Sequence, residues 1–568
     1  MVAELNAVGA RAQDDDFISQ CSLESLQAHL PLLWPAPPDT PPSPKKQYRS
    51  DYVYLGWHDL LEPEVWHYMS EFDLLLRLID FNGLRPVLAQ RLGWISAQGQ
   101  VPFDPVSIFL LHGWQTTNGW SRAQTLTNLR DPRYADYVQR FGFEKDRLPT
   151  EGGLRYFLTA LGHHSDADGQ TVSLSLVDEP GIEVAVQHLN DLIVQSVRLI
   201  RDSGLLSPEV WHQALVCPDG MIHDAASRLR CASVQDSCYE PTRPDQSRLC
   251  PAKEKDKRGC DCDTPACAQM CHFTTPRDRA ARFIYYAGSN QSSGNPNQAT
   301  DPTQTQKKRG QTHYGYRSLP LQLADPHRRF SLILLDDFRS ANEREENPTA
   351  ALLQQLPSFY PDLQLDTVAG DAGFGYDIVL STVYHLGARR CIDLRSHTTD
   401  QDKANWPLRG YDDRGRPVCT FGYPFKANGF DADRQRHKWI CNQTCLNGTT
   451  PAVTLDHVTY PPPECPFLTP DHPHGQIINI GQRFPDGSIR LVRDIPVNTP
   501  AWKHLYHRAR NAVEGRNAAF KLFNLKRLPV YGRPRGKATI FLADTWLNLT
   551  TLARLVREAT LAARSVST

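Results

Sequence analysis

Two apolar segments of this chain each end in an aspartate beside a glycine. Residues 214–220 read Ala-Leu-Val-Cys-Pro-Asp-Gly, and residues 363–375 contain Val-Ala-Gly-Asp-Ala-Gly. A short apolar run that stops at a turn residue is typical of a strand buried on both faces. The sequence therefore predicts an α/β core in which Asp219 and Asp371 lie at the ends of buried strands.

A third acidic residue, Glu514, lies among bases in a segment with helical periodicity. Arg510 precedes it by one turn and Lys521 follows it by two, so a helix places all three on roughly one face. Val513 and Phe520 are spaced to face the core. Taken alone, such a stretch is more often a solvated helix with ordinary ion pairs. A carboxylate among cations also suits a residue that holds a metal ion next to a phosphate.

Charge is unevenly distributed although the whole chain is nearly neutral. The 568 residues contain 62 Lys+Arg and 63 Asp+Glu, a formal net charge of −1. Residues 501–568 hold 13 Lys+Arg against 3 Asp+Glu. This local excess predicts a basic surface suited to a polyanion such as DNA, with a basic helical tail that binds nothing as the alternative.

The sequence also predicts where the protein works. No run is long and apolar enough to span a bilayer, so no membrane partner is expected. Acids at Asp14, Asp15 and Asp16 replace the basic and apolar pattern of a secretion signal. We therefore expect a cytoplasmic, nucleoid-associated protein whose fourteen cysteines are reduced, which favours metal ligation or free thiols over disulfides.

Composition and periodicity divide the chain into five parts. They are a disordered Pro-rich arm (1–48), a helical N-terminal domain (49–205), the first part of the α/β core (206–395), a β-rich insertion (396–500) and a C-terminal helical part of the core (501–568). The size of the helical domain suits DNA binding, with a purely structural role as the alternative. A Cys-rich insertion at 228–306 interrupts the core. Within the helical domain, the sequence predicts a polar loop at 163–168 and one long helix over 182–202.

The cysteines form two groups that predict structural zinc sites, with free thiols as the alternative. The first group is too irregular in spacing for a standard zinc finger, and the second contains one Cys-x3-Cys pair. The candidate zinc ligands are Cys250, Cys260, Cys262, Cys267 and Cys271 in the first group, and Cys419, Cys441, Cys445 and Cys465 in the second.

Asp219, Asp371 and Glu514 are separated by 152 and 143 residues, so only a fold can unite them. Carboxylate oxygens suit Mg²⁺ or Mn²⁺, and two such ions can activate a water or a 3′-hydroxyl at a phosphodiester. The alternative is that each is an ordinary strand-end or surface acid. Asp224 is a rival for the first position, and Asp377 is a weaker rival for the second.

The order of these elements resembles the RNase H-like catalytic core of the insertion-sequence DDE transposases. That order is a strand ending in Asp, two further strands, a helix, a second strand ending in Asp, and a distant helix with Glu. Asp219 with Gly220 resembles the first acid of the family, residues 370–374 resemble the second, and residues 313–317 resemble its next strand. The helical N-terminal region and the β-rich insertion before Glu514 are also similar to this group.

The C-terminal signature of that family is Tyr, two residues, Arg, three residues, Glu, six residues, Lys. Arg510, Glu514 and Lys521 keep these spacings. Tyr506 lies one residue too far from Arg510, and His507 occupies the fitting position. The resemblance implies that the three acids bind the metal and that the basic residues contact DNA.

The resemblance further implies a DNA transposase that acts as a homodimer on terminal inverted repeats and target DNA. It would hydrolyse the phosphodiester at each transposon end by a two-metal mechanism and join the 3′-hydroxyl to the target. The alternatives are a catalytically inactive, zinc-stabilised DNA-binding protein derived from a transposase, and a nuclease without strand transfer. The implied catalytic and Mg²⁺-binding residues are Asp219, Asp371 and Glu514; the implied DNA contacts are Tyr506, Arg510, Arg516, Lys521, Lys526 and Arg527, with further phosphate contacts at Lys307, Lys308, Arg309, Arg533, Arg535 and Lys537.

Overall fold

The computed structural model of the chain is a mixed α/β structure. It describes residues 26–35, 48–56, 63–92, 101–227, 278–286, 311–392, 408–447, 470, 475–481 and 500–567, with short gaps inside several of these ranges. The predicted Pro-rich arm falls mostly outside the described residues, and so do the cysteines between 228 and 277.

Helices make up most of the first described part, and the sequence shows why they begin where they do. The side chains of Ser70, Asp104 and Ser121 each accept a backbone N–H at the start of a helix, which replaces a bond that the first turn cannot make internally. The helices are α1 Pro63–Trp66, α2 Glu71–Leu78, α3 Leu84–Arg91, α4 Pro105–Thr117, α5 Arg122–Arg130, α6 Ala135–Arg140 and α7 Glu151–Ala167. A short parallel pair, β1 Leu32–Leu33 and β2 Ile79–Asp80, lies among them.

Two sequence predictions in this region are wrong. Helix α7 continues through the expected polar loop as far as Ala167. The expected helix over 182–202 is instead the second strand of a hairpin, β3 Gln170–Leu176 and β4 Glu179–Val186, followed by helix α8 Asn190–Asp202. Apolar residues at 182, 184 and 186 also alternate with period two, so the same stretch fits a strand.

The central sheet has five strands in the order β10-β9-β5-β12-β13. Its strands are β5 Ala214–Pro218, β9 Leu321–Asp325, β10 Phe330–Leu335, β12 Leu365–Gly370 and β13 Arg389–Ile392. Strands β5, β12 and β13 run parallel, whereas β9 runs antiparallel to β5 and β10 antiparallel to β9. The predicted buried strands at 214–218 and 365–370 are confirmed as neighbours at the centre of this sheet.

A second, antiparallel sheet lies beside the first. Strand β8 is at its centre and pairs with the other three. The strands are β6 Met221–Asp224, β7 Arg282–Tyr286, β8 Gln311–Ser318 and β11 Phe338–Ser340. The accompanying helices are α9 Pro208–His212, α10 Glu346–Phe359 and α11 Asp377–His385.

The β-rich character predicted for 396–500 is confirmed where that region is described. Its elements are β14 Leu408–Tyr411, β15 Pro417–Cys419, β16 Lys426–Asp431, β17 Arg436–Ile440, helix α12 Thr444–Asn447 and β18 Ile477–Gly481. Strands β14 and β15 form one hairpin, and β16, β17 and β18 form an antiparallel sheet.

Two long helices, α13 Pro500–Leu522 and α14 Arg533–Ser567, close the described chain. Helix α14 packs against α2, α4, α7 and α8 and against strand β10, so it joins the N-terminal helices to the central sheet. Its Trp546 stacks on Phe109 with ring centroids 5.0 Å apart. A β-carbon added at Gly113 would lie 2.0 Å from the Trp546 ring, so α4 approaches α14 closely because position 113 has no side chain. None of the described helices combines the length and apolar character needed to cross a bilayer.

Candidate active site

Asp219 and Asp371 lie at the same edge of the central sheet. Each directly follows a strand, β5 or β12, and these two strands are parallel neighbours with Val368 opposite Val216. The carboxyl ends of adjacent parallel strands open onto one crevice, which is where open α/β sheets place their ligands. The local sequence therefore brings two carboxylates together that are distant along the chain.

Helix α13 lies across this part of the sheet because the facing side chains are small. Cys217, Ala369 and Cys391 on the strands are buried against Ala509, Ala512 and Val513 on the helix. Small residues let the helix backbone approach the sheet closely. Glu514 follows directly after this packed face and is exposed, one turn beyond Arg510.

Asp219 is a buried carboxylate held by two side chains of α13. It is 5 % exposed, and its Oδ2 accepts a hydrogen bond of 2.8 Å from Asn517 Nδ2. The guanidinium of Arg510 approaches within 3.4 Å of Asp219 Oδ1. Burial raises the pKa of the Asp219 carboxyl, and Arg510 opposes that rise by favouring the charged form. The charge of Asp371 adds to the rise, which shows that the two acids share one electrostatic environment.

Arg510 is a half-buried cation of α13 whose charge interacts with the predicted acids. Burial lowers the pKa of its guanidinium, but the charges of Asp219, Asp371, Tyr506 and Glu514 outweigh that effect and raise it. All three predicted acids therefore act on one guanidinium. Within the described part of the chain, no three carboxylate, imidazole or thiolate groups are gathered as ligands of a single ion.

Glu345 is a fourth carboxylate of the site that the sequence did not indicate. It directly precedes α10, and its Oε1 lies 2.7 Å from Arg317 Nη1. A β-carbon added at Gly373 would lie 2.8 Å from Asp371 Oδ1 and 3.7 Å from Glu345 Oε2. Burial raises the pKa of the Glu345 carboxyl, Arg317 lowers it, and Asp371 and then Asp219 raise it. In the sequence, Glu345 is only one acid in the charged run 343–346.

Asn517 was also missed, although helical spacing gives a signal for it. It follows Glu514 by three residues and therefore lies on the same side of α13. Its Nδ2 donates to Asp219, while its buried Oδ1 has no hydrogen-bond partner among the described residues. An unpaired buried carbonyl oxygen beside carboxylates is a feature that a bound cation would satisfy.

The rival Asp224 has a different role. It ends strand β6 in the second sheet, and its Oδ1 lies 2.8 Å from His313 Nδ1. Its backbone N–H donates to the carbonyl of Lys526, and its carbonyl accepts from Leu528. Asp224 thus ties the second sheet to the segment after α13, which favours Asp219 as the first acid of the site.

The expected DNA contact at Arg516 is corrected by the structure. Arg516 is 1 % exposed, and its guanidinium is paired with Asp336 at 3.0 Å and with Asp544 at 2.7 Å. Lys537, expected to hold a phosphate, is also fully buried. Both side chains point into the protein, because the helices that carry them are packed on those faces.

The other expected DNA contacts are accessible to different degrees. Lys521, Lys526 and Arg527 are exposed at and beyond the end of α13, whereas Tyr506 is half-buried against the sheet. Arg535 is half-buried and donates to Thr159 Oγ1. The expected contacts at Lys307, Lys308 and Arg309 lie outside the described residues.

Of the two predicted zinc groups, only the second lies partly within the described residues. The first group and Cys465 lie outside the described residues. Burial raises the pKa of the Tyr423 hydroxyl, and Cys445 and Cys419 raise it further, so both thiols lie near this tyrosine. Cys441 follows strand β17, and its N–H donates to the carbonyl of Gln476. A zinc site at these cysteines remains a prediction.

Comparison with known proteins gives no family for this chain. The candidate site rests on the arrangement of its own residues, because no family model, curated protein or solved structure matches the sequence.

Proposed function

We propose that the chain is a DDE-type DNA transposase with an RNase H-like core. It would bind the inverted repeats of a transposon as a homodimer, hydrolyse the phosphodiester at each end, and join the resulting 3′-hydroxyl to target DNA. The observation that carries this proposal is the placement of Asp219 and Asp371 at adjacent parallel strand ends, with Glu514 on the helix that crosses them.

The sheet order supports the same reading. The first acid follows the middle strand of the central sheet and the second follows its parallel neighbour, so the sheet brings together two strand ends that are distant in sequence. The described helix between β11 and β12 and the helix with Glu514 also follow in the implied order.

The side chains at the site are of the chemical type that binds a hard divalent cation. Asp219, Asp371, Glu514 and the unpaired Oδ1 of Asn517 offer oxygen ligands, which Mg²⁺ and Mn²⁺ prefer. Ions held by these oxygens would polarise the scissile phosphate and favour deprotonation of the attacking water or 3′-hydroxyl. The carboxylates supply the negative charge that makes such binding strong.

The cations of the site have separate tasks in this proposal. Arg510 lies among the acids and can reach a phosphate oxygen at the reacting centre, since its guanidinium is only partly buried. Lys521, Lys526 and Arg527 are exposed beyond it and would hold the DNA backbone on either side. Contacts of this kind make DNA binding weaken as salt concentration rises.

The proposal is tested by cleavage and joining of DNA that carries the ends of the element flanking the gene. We expect Mg²⁺-dependent cleavage that Glu514→Gln and Asp371→Asn each reduce by on the order of 10³-fold, because the acids act as a unit. Glu558→Gln is the matched control, since Glu558 is an exposed acid on α14 paired with Arg328. If both site variants cleave as well as the parent chain, the proposal is wrong. DNA binding without cleavage would support the inactive alternative, and cleavage without joining would support a nuclease.

A smaller effect is expected for Glu345→Gln. The substitution removes one negative charge beside Asp371 and leaves Arg317 without its 2.7 Å ion pair. We expect cleavage to fall by roughly 10- to 100-fold and to need a higher Mg²⁺ concentration for half-maximal rate. The measurement is the cleavage rate across a Mg²⁺ titration. Glu343→Gln, two residues away and bonded to the backbone N–H of Ser340, should titrate like the parent. An unchanged Mg²⁺ dependence in Glu345→Gln would exclude this role.

A further inference from the structure

A cavity lies away from the acids, between the N-terminal helices, helix α14 and the segment that joins α13 to α14. Its volume is about 180 Å³, and its walls come from α4, α5, α7, α14 and the segment after α13. Helix α13 ends at Leu522, eight residues or about 12 Å of helix beyond Glu514, and Phe523 and Leu525 of the cavity wall follow that end.

Three polar atoms of residues that line this cavity are buried and unpaired. They are His112 Nε2, Gln115 Oε1 and Arg122 Nη1, none of which has a hydrogen-bond partner among the described residues. His112 is 5 % exposed. Buried polar atoms without partners are uncommon and costly, so several of them around one cavity point to a ligand that supplies the missing bonds.

The protonation state of His112 determines which hydrogen bonds this side of the cavity can make to a ligand. Burial lowers the pKa of the imidazole to about 3, with Arg122 acting in the same direction, so the ring is neutral at pH 7. The ring also hydrogen-bonds the carbonyl of Leu154 and stacks on Phe157 at 5.4 Å. Because the carbonyl takes the ring N–H, the unpaired Nε2 carries a lone pair. His112 and Gln115 therefore present acceptors.

Arg122, in contrast, offers the cavity a hydrogen-bond donor. Its Nη2 donates to the carbonyl of Pro529 at 3.1 Å, while Nη1 remains as an unused donor. Burial lowers the pKa of the Arg122 guanidinium, the charge of Glu151 opposes that effect, and the charges of Arg155 and Arg535 add to it. Three guanidinium groups and one carboxylate therefore act on this wall. The wall is thus locally positive and disfavours a cationic ligand. An anion would instead meet the lone pairs of His112 and Gln115.

The cavity therefore suits a neutral ligand. Such a ligand has N–H donors for His112 and Gln115, and beside them a carbonyl or ring-nitrogen acceptor for Arg122. Trp120 and Phe523 line the cavity and provide flat apolar walls. The volume suits a small ring system and not a drug-sized molecule. We propose that this cavity binds a purine or pyrimidine base, with its amino group on His112 and Gln115 and its acceptor edge on Arg122. The base could belong to a free nucleoside or to a DNA strand.

The test is calorimetric titration of the full chain with adenosine, cytidine and inorganic phosphate. We expect saturable binding of at least one nucleoside and none of phosphate. His112→Phe keeps the ring stacked on Phe157, and Gln115→Leu keeps the side-chain size; each should weaken nucleoside binding about tenfold or more by removing one acceptor. Gln124→Leu, an exposed change on α5 outside the cavity, should bind like the parent.

The source of the base is separated by competition with a short single-stranded oligonucleotide. If the oligonucleotide displaces the nucleoside from the parent and His112→Phe weakens both, a base of a strand enters the cavity; displacement by free nucleosides alone assigns a free ligand. The proposal is overturned if the parent chain shows no saturable nucleoside binding, or if it binds phosphate more tightly than a nucleoside. It is also overturned if His112→Phe and Gln115→Leu both bind nucleosides as tightly as the parent does. Because the readout is binding to the parent chain, it is independent of whether the chain cleaves DNA.

Discussion

An Asp219→Asn variant is expected to lose metal-dependent DNA cleavage by on the order of 10³-fold or more while it stays folded. The carboxylate is buried and shared between Asn517 and Arg510 at the crevice of the sheet. An asparagine has the same size and can still accept from Asn517, but it removes the negative charge that binds a divalent cation. At pH 7 we expect the free energy of unfolding to change by only about 1 kcal/mol, because the lost attraction to Arg510 is offset by relief from burying a charge.

The pH dependence gives this prediction a second readout. Burial raises the pKa of Asp219 in the folded chain above its ordinary value, so ionisation opposes folding. The contribution of this group to stability is therefore largest below the ordinary pKa and is lost as pH rises through the folded pKa. The amide of the Asp219→Asn variant does not titrate, so the variant should gain stability relative to the parent between acid and neutral pH. Urea unfolding of variant and parent, once at a pH below the ordinary aspartate pKa and once at pH 7, measures this difference in the free energy of unfolding.

Asp224→Asn is the matched control for Asp219→Asn. Asp224 is the rival first acid by sequence, but its carboxylate pairs with His313 in the second sheet. We expect this variant to cleave within a few-fold of the parent and to lose stability instead, because the pair with His313 is broken. Loss of cleavage in Asp224→Asn with full activity in Asp219→Asn would reverse the assignment.

The parts of the fold that follow from local patterns were predictable. Apolar runs that stop at turn residues indicate the two strand ends before Asp219 and Asp371. The start of helix α14 at Arg533 has no clear local signal, because Pro534 and Gly536 are poor residues for a helix interior. A proline is tolerated in the first helical turn, and Gly536 lies against Phe338 where a side chain would crowd the ring.

Only part of the candidate site could be predicted from the sequence. Contacts between residues that are distant along the chain leave no local sequence pattern. Glu345 differs from its neighbours in the run 343–346 only by facing Arg317 and Gly373, which are distant in sequence. Arg516 follows Glu514 by two residues and was grouped with the basic residues of the same helix. Two residues correspond to about 200° around a helix, so Arg516 points to the opposite side from Glu514. Helical spacing thus predicts that Arg516 and Glu514 point in different directions. That the Arg516 side chain is buried follows only from the elements that pack on its side of the helix.

Arg516→Met is expected to destabilise the chain by about 3 to 5 kcal/mol, the largest stability effect that we predict. The guanidinium donates to Asp544 Oδ1 and Oδ2 at 2.7 and 2.9 Å, to Asp336 Oδ2 at 3.0 Å, and to Ser318 Oγ at 3.2 Å. It also lies 4.2 Å from the centre of the Phe520 ring. All of these partners are buried, so the methionine leaves two carboxylates without a cation in the protein interior.

The network adds buried polar bonds between parts of the chain that are distant in sequence. Asp336 follows strand β10, Ser318 ends strand β8 and Asp544 belongs to α14, while Arg516 belongs to the helix that carries Glu514. Ser318 Oγ is also bonded at 2.9 Å to His223 Nε2, whose other nitrogen lies 2.8 Å from the carbonyl of Leu525. Directional bonds of this kind fix the rotation of α13 about its axis, and with it the position of Glu514.

The loss in Arg516→Met should depend on pH with a defined sign. Burial raises the pKa of Asp336 well above its ordinary value, Asp544 raises it further, and Arg516 opposes both. Without the guanidinium the folded chain binds a proton at this pair more tightly, so the stability of the variant falls more steeply as pH rises. The difference in unfolding free energy between variant and parent should therefore be larger at pH 8 than at pH 5. Arg508→Met, an exposed change on the same helix, should stay within about 0.5 kcal/mol at both pH values. If Arg516→Met instead weakened DNA binding and left unfolding unchanged, Arg516 would be a DNA contact after all and the buried network would carry little stability.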